Sequence, residues 1–169
     1  MSEPASAPFE VGREEKRVFL LVVDETEELG AAIRYACNRA RRTGGRIALL
    51  YVYELDTEFQ HFASVGRLME KEAEAEAEAI LKRQALDIAR ESGRVPEMFV
   101  RKGQRQDELF GLVRDHPEIS MLVLGSATGV KPGPLVEAVT GKNAGKIGIP
   151  VTLVPGDLTP TELDRLTAG

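Results

Sequence analysis

The chain has 169 residues, about the size of one domain, and its 22 basic against 27 acidic residues leave a net charge of -5, which argues against broad binding to nucleic-acid backbone. A single cysteine, Cys37, excludes an intramolecular disulfide and suits a reducing compartment. With 43% hydrophobic residues, only 5% aromatic and no Trp, the core has to be built from Val, Ile, Leu and Ala.

Met1 to Gly12 is rich in Ser, Pro and Ala, with no basic start and no long apolar run. Residues 1–15 therefore read as a flexible tail rather than a secretory signal. The longest apolar stretches are strand-length, short of the ~20 residues a membrane-spanning helix needs. The expectation is a cytoplasmic protein without membrane contact.

Val18-Phe-Leu-Leu-Val-Val23 is a continuous β-favouring run, the pattern of a strand covered on both faces. Thr26 reads as the cap of the next helix, with Glu27 and Glu28 in its first turn. Leu29, Ala32, Ile33, Ala36, Cys37 and Ala40 then recur at helical spacing, and Gly44-Gly45 stops the helix. Ile47 to Tyr53 is a second strand. A long helix follows over 64–91. Its Glu72–Ala79 stretch alternates with period two, but Glu and Ala favour helices and are poor in sheets. Its acidic run reads as a solvated face.

Val95 to Arg101 is a third strand, with Pro96 suited only to its start or to an edge. A short helix covers 107–115 and breaks at His116-Pro117. Ile119 to Leu124 and Ile149 to Val154 are the fourth and fifth strands, separated by a Gly/Pro-rich segment and a helical stretch. Pro155-Gly156 closes the unit, and residues 157–169 read as a C-terminal tail with a helical turn or two. Alternating strands and helices imply a parallel sheet with right-handed crossovers, in one domain.

Open parallel sheets bind ligands beyond the carboxyl ends of their strands. Asp24 follows the first strand, Val52 and Tyr53 end the second, and the fourth leads into Gly125-Ser-Ala-Thr-Gly129-Val-Lys-Pro-Gly133. Backbone N–H groups of a glycine-rich loop can hold phosphate oxygens, with Lys131, Lys142 and Lys146 adding charge. The same residues also fit a plain turn beside a lysine-rich surface. Gly141-Lys142-Asn143 resembles the end of a Walker A loop, but Val136 stands where its first glycine belongs. Asp24 fits a capping role as well as a ligand contact. Cys37, on the apolar helix face, reads as a buried inert thiol. His61 and His116 make no metal-spaced pair, and Ser126 has no His partner or nucleophile elbow, so no catalytic cluster is visible.

Val23-Asp24-Glu25-Thr26, Leu49-Leu-Tyr-Val52, Leu124-Gly-Ser-Ala-Thr-Gly129, Gly141 and Ile149-Pro-Val-Thr-Leu-Val-Pro155 together resemble the universal stress protein family, over residues 16–156. The resemblance implies a three-layer α/β sandwich: a five-stranded parallel sheet in the order 3-2-1-4-5 with helices on both faces. It also implies a non-catalytic stress-response role and a homodimer formed through the last strand, where Val151, Leu153 and Val154 offer an apolar edge. Some members bind ATP through a Gly-x2-Gly-x9-Gly-Ser/Thr signature and others do not. Here three residues separate Gly125 from Gly129, eleven separate Gly129 from Gly141, and Lys142 replaces the hydroxyl residue. Carried over, ATP or AMP is the expected ligand, with Mg or Mn entering only with the nucleotide. Asp24 would meet the ribose-phosphate or its metal, Val52 would offer backbone to adenine, and Gly125, Gly129, Gly141 and Lys142 would approach the phosphates. A slow ATPase or adenylate-handling enzyme on the same fold, and a scaffold without nucleotide, are the alternatives.

Overall fold

The computed structural model describes residues 17–55 and 63–169, so the expected N-terminal tail and His61 lie outside the described residues. Strands β1 (Val18–Val22), β2 (Arg46–Tyr53), β3 (Glu97–Lys102), β4 (Ile119–Ser126) and β5 (Val151–Pro155) form one parallel sheet in the order β3-β2-β1-β4-β5. Helices α1 (Leu29–Thr43), α2 (Ala63–Ser92), α3 (Arg105–Asp115), α4 (Pro134–Thr140) and α5 (Pro160–Leu166) complete the described chain, with one 3-10 turn over Ala144–Lys146.

Every side chain of β1 is buried, because β1 is central and alternate residues face opposite layers. Phe19 and Leu21 join the layer of α1, α2 and α5; Val18, Leu20 and Val22 join that of α3 and α4. Burial of such side chains, at roughly 1.5–3 kcal/mol each, is the main term holding the layers together. In α2 the period-two Glu/Ala pattern puts Ala77 on the buried stripe with Leu81, Ala85 and Ile88. Helical spacing, not alternation, therefore decides which alanines are covered. α1 ends where Gly44 turns left-handed at φ 68°. Pro96 stands just before β3, where its missing N–H breaks no ladder.

The start of α1 departs from expectation. Thr26 does not cap the helix, which begins at Leu29 after Glu28, and Glu27 and Glu28 precede it in a turn. Val154, expected on an apolar edge, is 2% exposed and belongs to the core; the exposed apolar side chain of β5 is Leu153. The segment after β5 is also more ordered than a tail. Thr159 caps α5 from Glu162 N–H while the Glu162 carboxylate accepts from Thr159 N–H, a complete capping box. Leu163 and Thr167 are buried against α1.

Arg34 on α1 grips Asp164 on α5 through two hydrogen bonds, of 2.9 and 2.7 Å, and the Asn38 amide donates to the same carboxylate. The Arg34 guanidinium, helped by Asn38, holds the Asp164 carboxyl down at about 2. Because this folded-state value is depressed, the contribution is fully present above the ordinary carboxylate range and is lost as pH falls through about 2. Wild type should therefore lose more of its urea midpoint than Asp164→Asn between pH 7 and pH 2.5. Equal losses in the two proteins would show that the pair does not anchor α5.

Candidate functional site

The crossovers from β1 to β2 and on to β3 run one way, and those to β4 and β5 return the other way. The strand order therefore reverses between β1 and β4. Both strands leave the sheet there without a helix across the gap, and the segments that follow them form the walls of a cleft.

On one wall, Asp24 Oδ1 accepts hydrogen bonds from Thr26 N–H at 3.1 Å and from the Thr26 hydroxyl at 2.6 Å. This Asx turn explains why Thr26 is unavailable as a cap. It occupies one carboxylate oxygen of Asp24, and the other has no hydrogen-bond partner among the described residues. Beside it, Gly125 lies directly against the turn before α1. A Cβ there would come within 2.6 Å of Glu28 Cβ and 2.7 Å of its carbonyl carbon. Gly125 has no positive φ, so close packing is the reason for this glycine. Gly133, by contrast, needs its backbone freedom: at φ 115° it turns the chain into α4.

Two neighbouring lobes lie here, with Arg105, Pro134 and Leu135 common to both linings. A small one lies between Asp24, Glu28, Gly125 and the start of α4. A larger one, with a volume of about 640 Å³, opens over the end of β2 between α2 and α3. Val52, Tyr53 and Glu54 form its floor. Leu50 gives its carbonyl to Val23 N–H on the β1 side, whereas Tyr53 gives its carbonyl to Gly103 N–H on the β3 side. Backbone groups alternate along a strand, so those of Val52 face the β1 side, beyond the point where β1 has ended. Burial pushes the Tyr53 phenol up, with Glu74 and Glu70 adding to the effect, so it stays protonated at neutral pH.

Arg105, Pro134 and Leu135 line both lobes. Arg105 is the first residue of α3, four residues before the fully buried Leu109 and hence on the same helix face. That spacing carries the guanidinium over the carboxyl edge of the sheet. Among the described residues Arg105 has no ion-pair partner and no side-chain hydrogen bond, and it is the only cationic residue lining either lobe. Carboxylates share these linings with it: Asp24 and Glu28 in the small lobe, Glu54 and Glu76 in the large one.

Asp24 and Gly125 thus share the small lobe, and Val52 lines the neighbouring large one. Gly129, Gly141 and Lys142 line neither lobe. Gly129 is exposed in a loop that closes on itself where Ala127 N–H donates to the Pro132 carbonyl. Gly141 ends α4, its N–H on the Glu137 carbonyl, and Lys142 follows it, exposed. Seven helical residues separate this end from the cleft end, roughly 10 Å at the usual rise. Gly141 and Lys142, expected to approach the phosphates, thus stand at the end of α4 away from the cleft, because α4 starts at Pro134.

Elsewhere, Cys37 is fully buried and burial pushes its thiol up to about 12, so no thiolate forms at neutral pH. His116 pairs with Glu118 at 3.0 Å and packs on Phe99. No cluster of three His, Cys, Asp or Glu that could hold a metal occurs among the described residues. Among the same residues, no helix is long and apolar enough to cross a membrane.

The model of the universal stress protein family matches residues 16–155. The universal stress protein UspA from Lactobacillus plantarum is 20% identical and superimposes with a TM-score of 0.64, over 82% of this chain and 97% of that one. A universal stress protein solved in complex with cAMP is 18% identical, with a TM-score of 0.53 over 83% of this chain and 98% of that one. Another, from Archaeoglobus fulgidus, is 15% identical, with a TM-score of 0.52 over 82% and 93%. Comparison with curated proteins found no match. The five-stranded order and the layers agree with these structures.

Proposed function

Since the chain belongs to the universal stress protein family, we propose that it is a non-catalytic, cytoplasmic stress-response protein whose cleft takes an adenine nucleotide. The observation that carries this reading is the meeting of Asp24 and Gly125 at the strand-order reversal, beside a 640 Å³ lobe lined by Val52. A volume of that size suits a small organic ligand. The backbone carbonyl and N–H of Val52, on the β1 side beyond the end of that strand, would meet the adenine edge. The related fold solved with cAMP supports the same class of ligand. Asp24 would then meet the ribose, its free oxygen accepting from a hydroxyl.

The exposed strand β5, with Leu153 on its surface, supports pairing with a second copy of the chain. Titration calorimetry with adenosine, AMP, cAMP and ATP is the test, with light scattering on the same samples. Saturable heat for at least one adenine compound is expected, with the mass of a dimer. Silence for all four at millimolar concentration would remove the nucleotide, and a strict monomer at high concentration would remove the pairing.

A further inference from the structure

The geometry points to Arg105 as the group that holds the ligand's phosphoryl, so that the cleft selects a nucleotide with one phosphoryl group over a di- or triphosphate. This rests on the reading of the cleft as an adenine-nucleotide site and adds to it the residue that reads the phosphate.

Arg105 borders both lobes, so its guanidinium is within reach of an anion bound in either of them. Its planar fork of N–H donors matches phosphoryl oxygens two at a time. No carboxylate among the described residues claims the guanidinium, although Asp24, Glu28, Glu54 and Glu76 all border the cleft. A half-buried cation held without a fixed partner can exchange water for a ligand anion without first breaking an ion pair.

The same surroundings set the number of phosphoryl groups. One cation can compensate one phosphoryl. Each further phosphoryl brings negative charge towards the carboxylates on either side, with no second cation to receive it. Lys131, Lys142 and Lys146 are exposed and line neither lobe. The loop that would have to wrap a polyphosphate is closed by the bond from Ala127 N–H to the Pro132 carbonyl, 3.1 Å long. Repulsion between like charges in one cleft opposes binding most strongly at low salt.

The experiment is calorimetric titration of wild type and Arg105→Gln with adenosine, AMP and ATP, at low salt, with and without magnesium. Circular dichroism checks that the variant is folded. AMP should bind wild type about tenfold or more tightly than adenosine, the usual worth of a charge-assisted contact. ATP should bind no more tightly than AMP. In Arg105→Gln the AMP advantage should vanish while the adenosine affinity stays. An unchanged AMP advantage in the variant, or ATP stronger than AMP in either buffer, would overturn the assignment while leaving the adenine site standing. Failure of both adenosine and AMP on wild type would remove the site and the assignment together.

Discussion

Gly125→Ala should destabilise the protein by about 2–3 kcal/mol, the usual cost of forcing a methyl into filled space. Thermal denaturation should show it as a midpoint lowered by roughly 4–12 °C. The new Cβ would meet Glu28 backbone and Cβ at once, and that turn has little room to retreat, because Gly156 holds it from the β5 side. A Cβ on Gly156 would come within 2.7 Å of Glu28 Cγ. Two glycines, one in β4 and one just after β5, thus form one socket for the turn that carries Asp24 and Glu28. The variant should also lose ligand affinity, since displacing Glu28 displaces the wall of the small lobe. Gly129→Ala is the control. Nothing lies within 4 Å of that position, so a change within about 0.5 kcal/mol is expected. Equal midpoints for the two variants would mean that the turn yields freely and that Gly125 is not the constraint.

That socket was only half legible in the sequence. The glycine after the fourth strand stood out, but as a phosphate-facing residue; nothing local reveals that a turn a hundred residues away presses against it. The strands were easier, because burial on both faces demands uninterrupted runs such as Val18 to Val22, and that demand is visible residue by residue. Helix α2 was legible for a similar reason, since Glu and Ala prefer a helix whatever their alternation. Two features carried usable signals that were missed. Thr159, Pro160 and Glu162 spell a capped helix start; the expected helical turn or two is α5, and its capping box was the unread part. Arg105 follows the third strand across Gly103-Gln104, and the carboxyl-end rule applied to that strand would have named it. The positions of Gly141 and Lys142 had no such signal, because they depend on where α4 begins, a boundary that sequence resolves poorly.

Leu109→Ala should cost about 3 kcal/mol and should weaken AMP binding as well. Leu109 has no exposed surface and packs in the layer shared with Leu50, Val52 and Leu135, so its truncation leaves a cavity. One turn nearer the helix start on the same face is Arg105, whose reach over the sheet depends on how firmly that first turn is seated. Leu112→Ala separates the two effects. It is buried to the same extent but lies a turn further from the cleft, so it should destabilise by a similar amount with a smaller loss of AMP affinity. The measurements are urea denaturation for stability and calorimetry at a temperature where both variants are folded. Matching affinities in the two variants would show that the seating of the first turn of α3 does not control Arg105. The guanidinium would then find the phosphoryl by its own side-chain freedom, and the anion site would belong to a single flexible residue rather than to the packing of the helix.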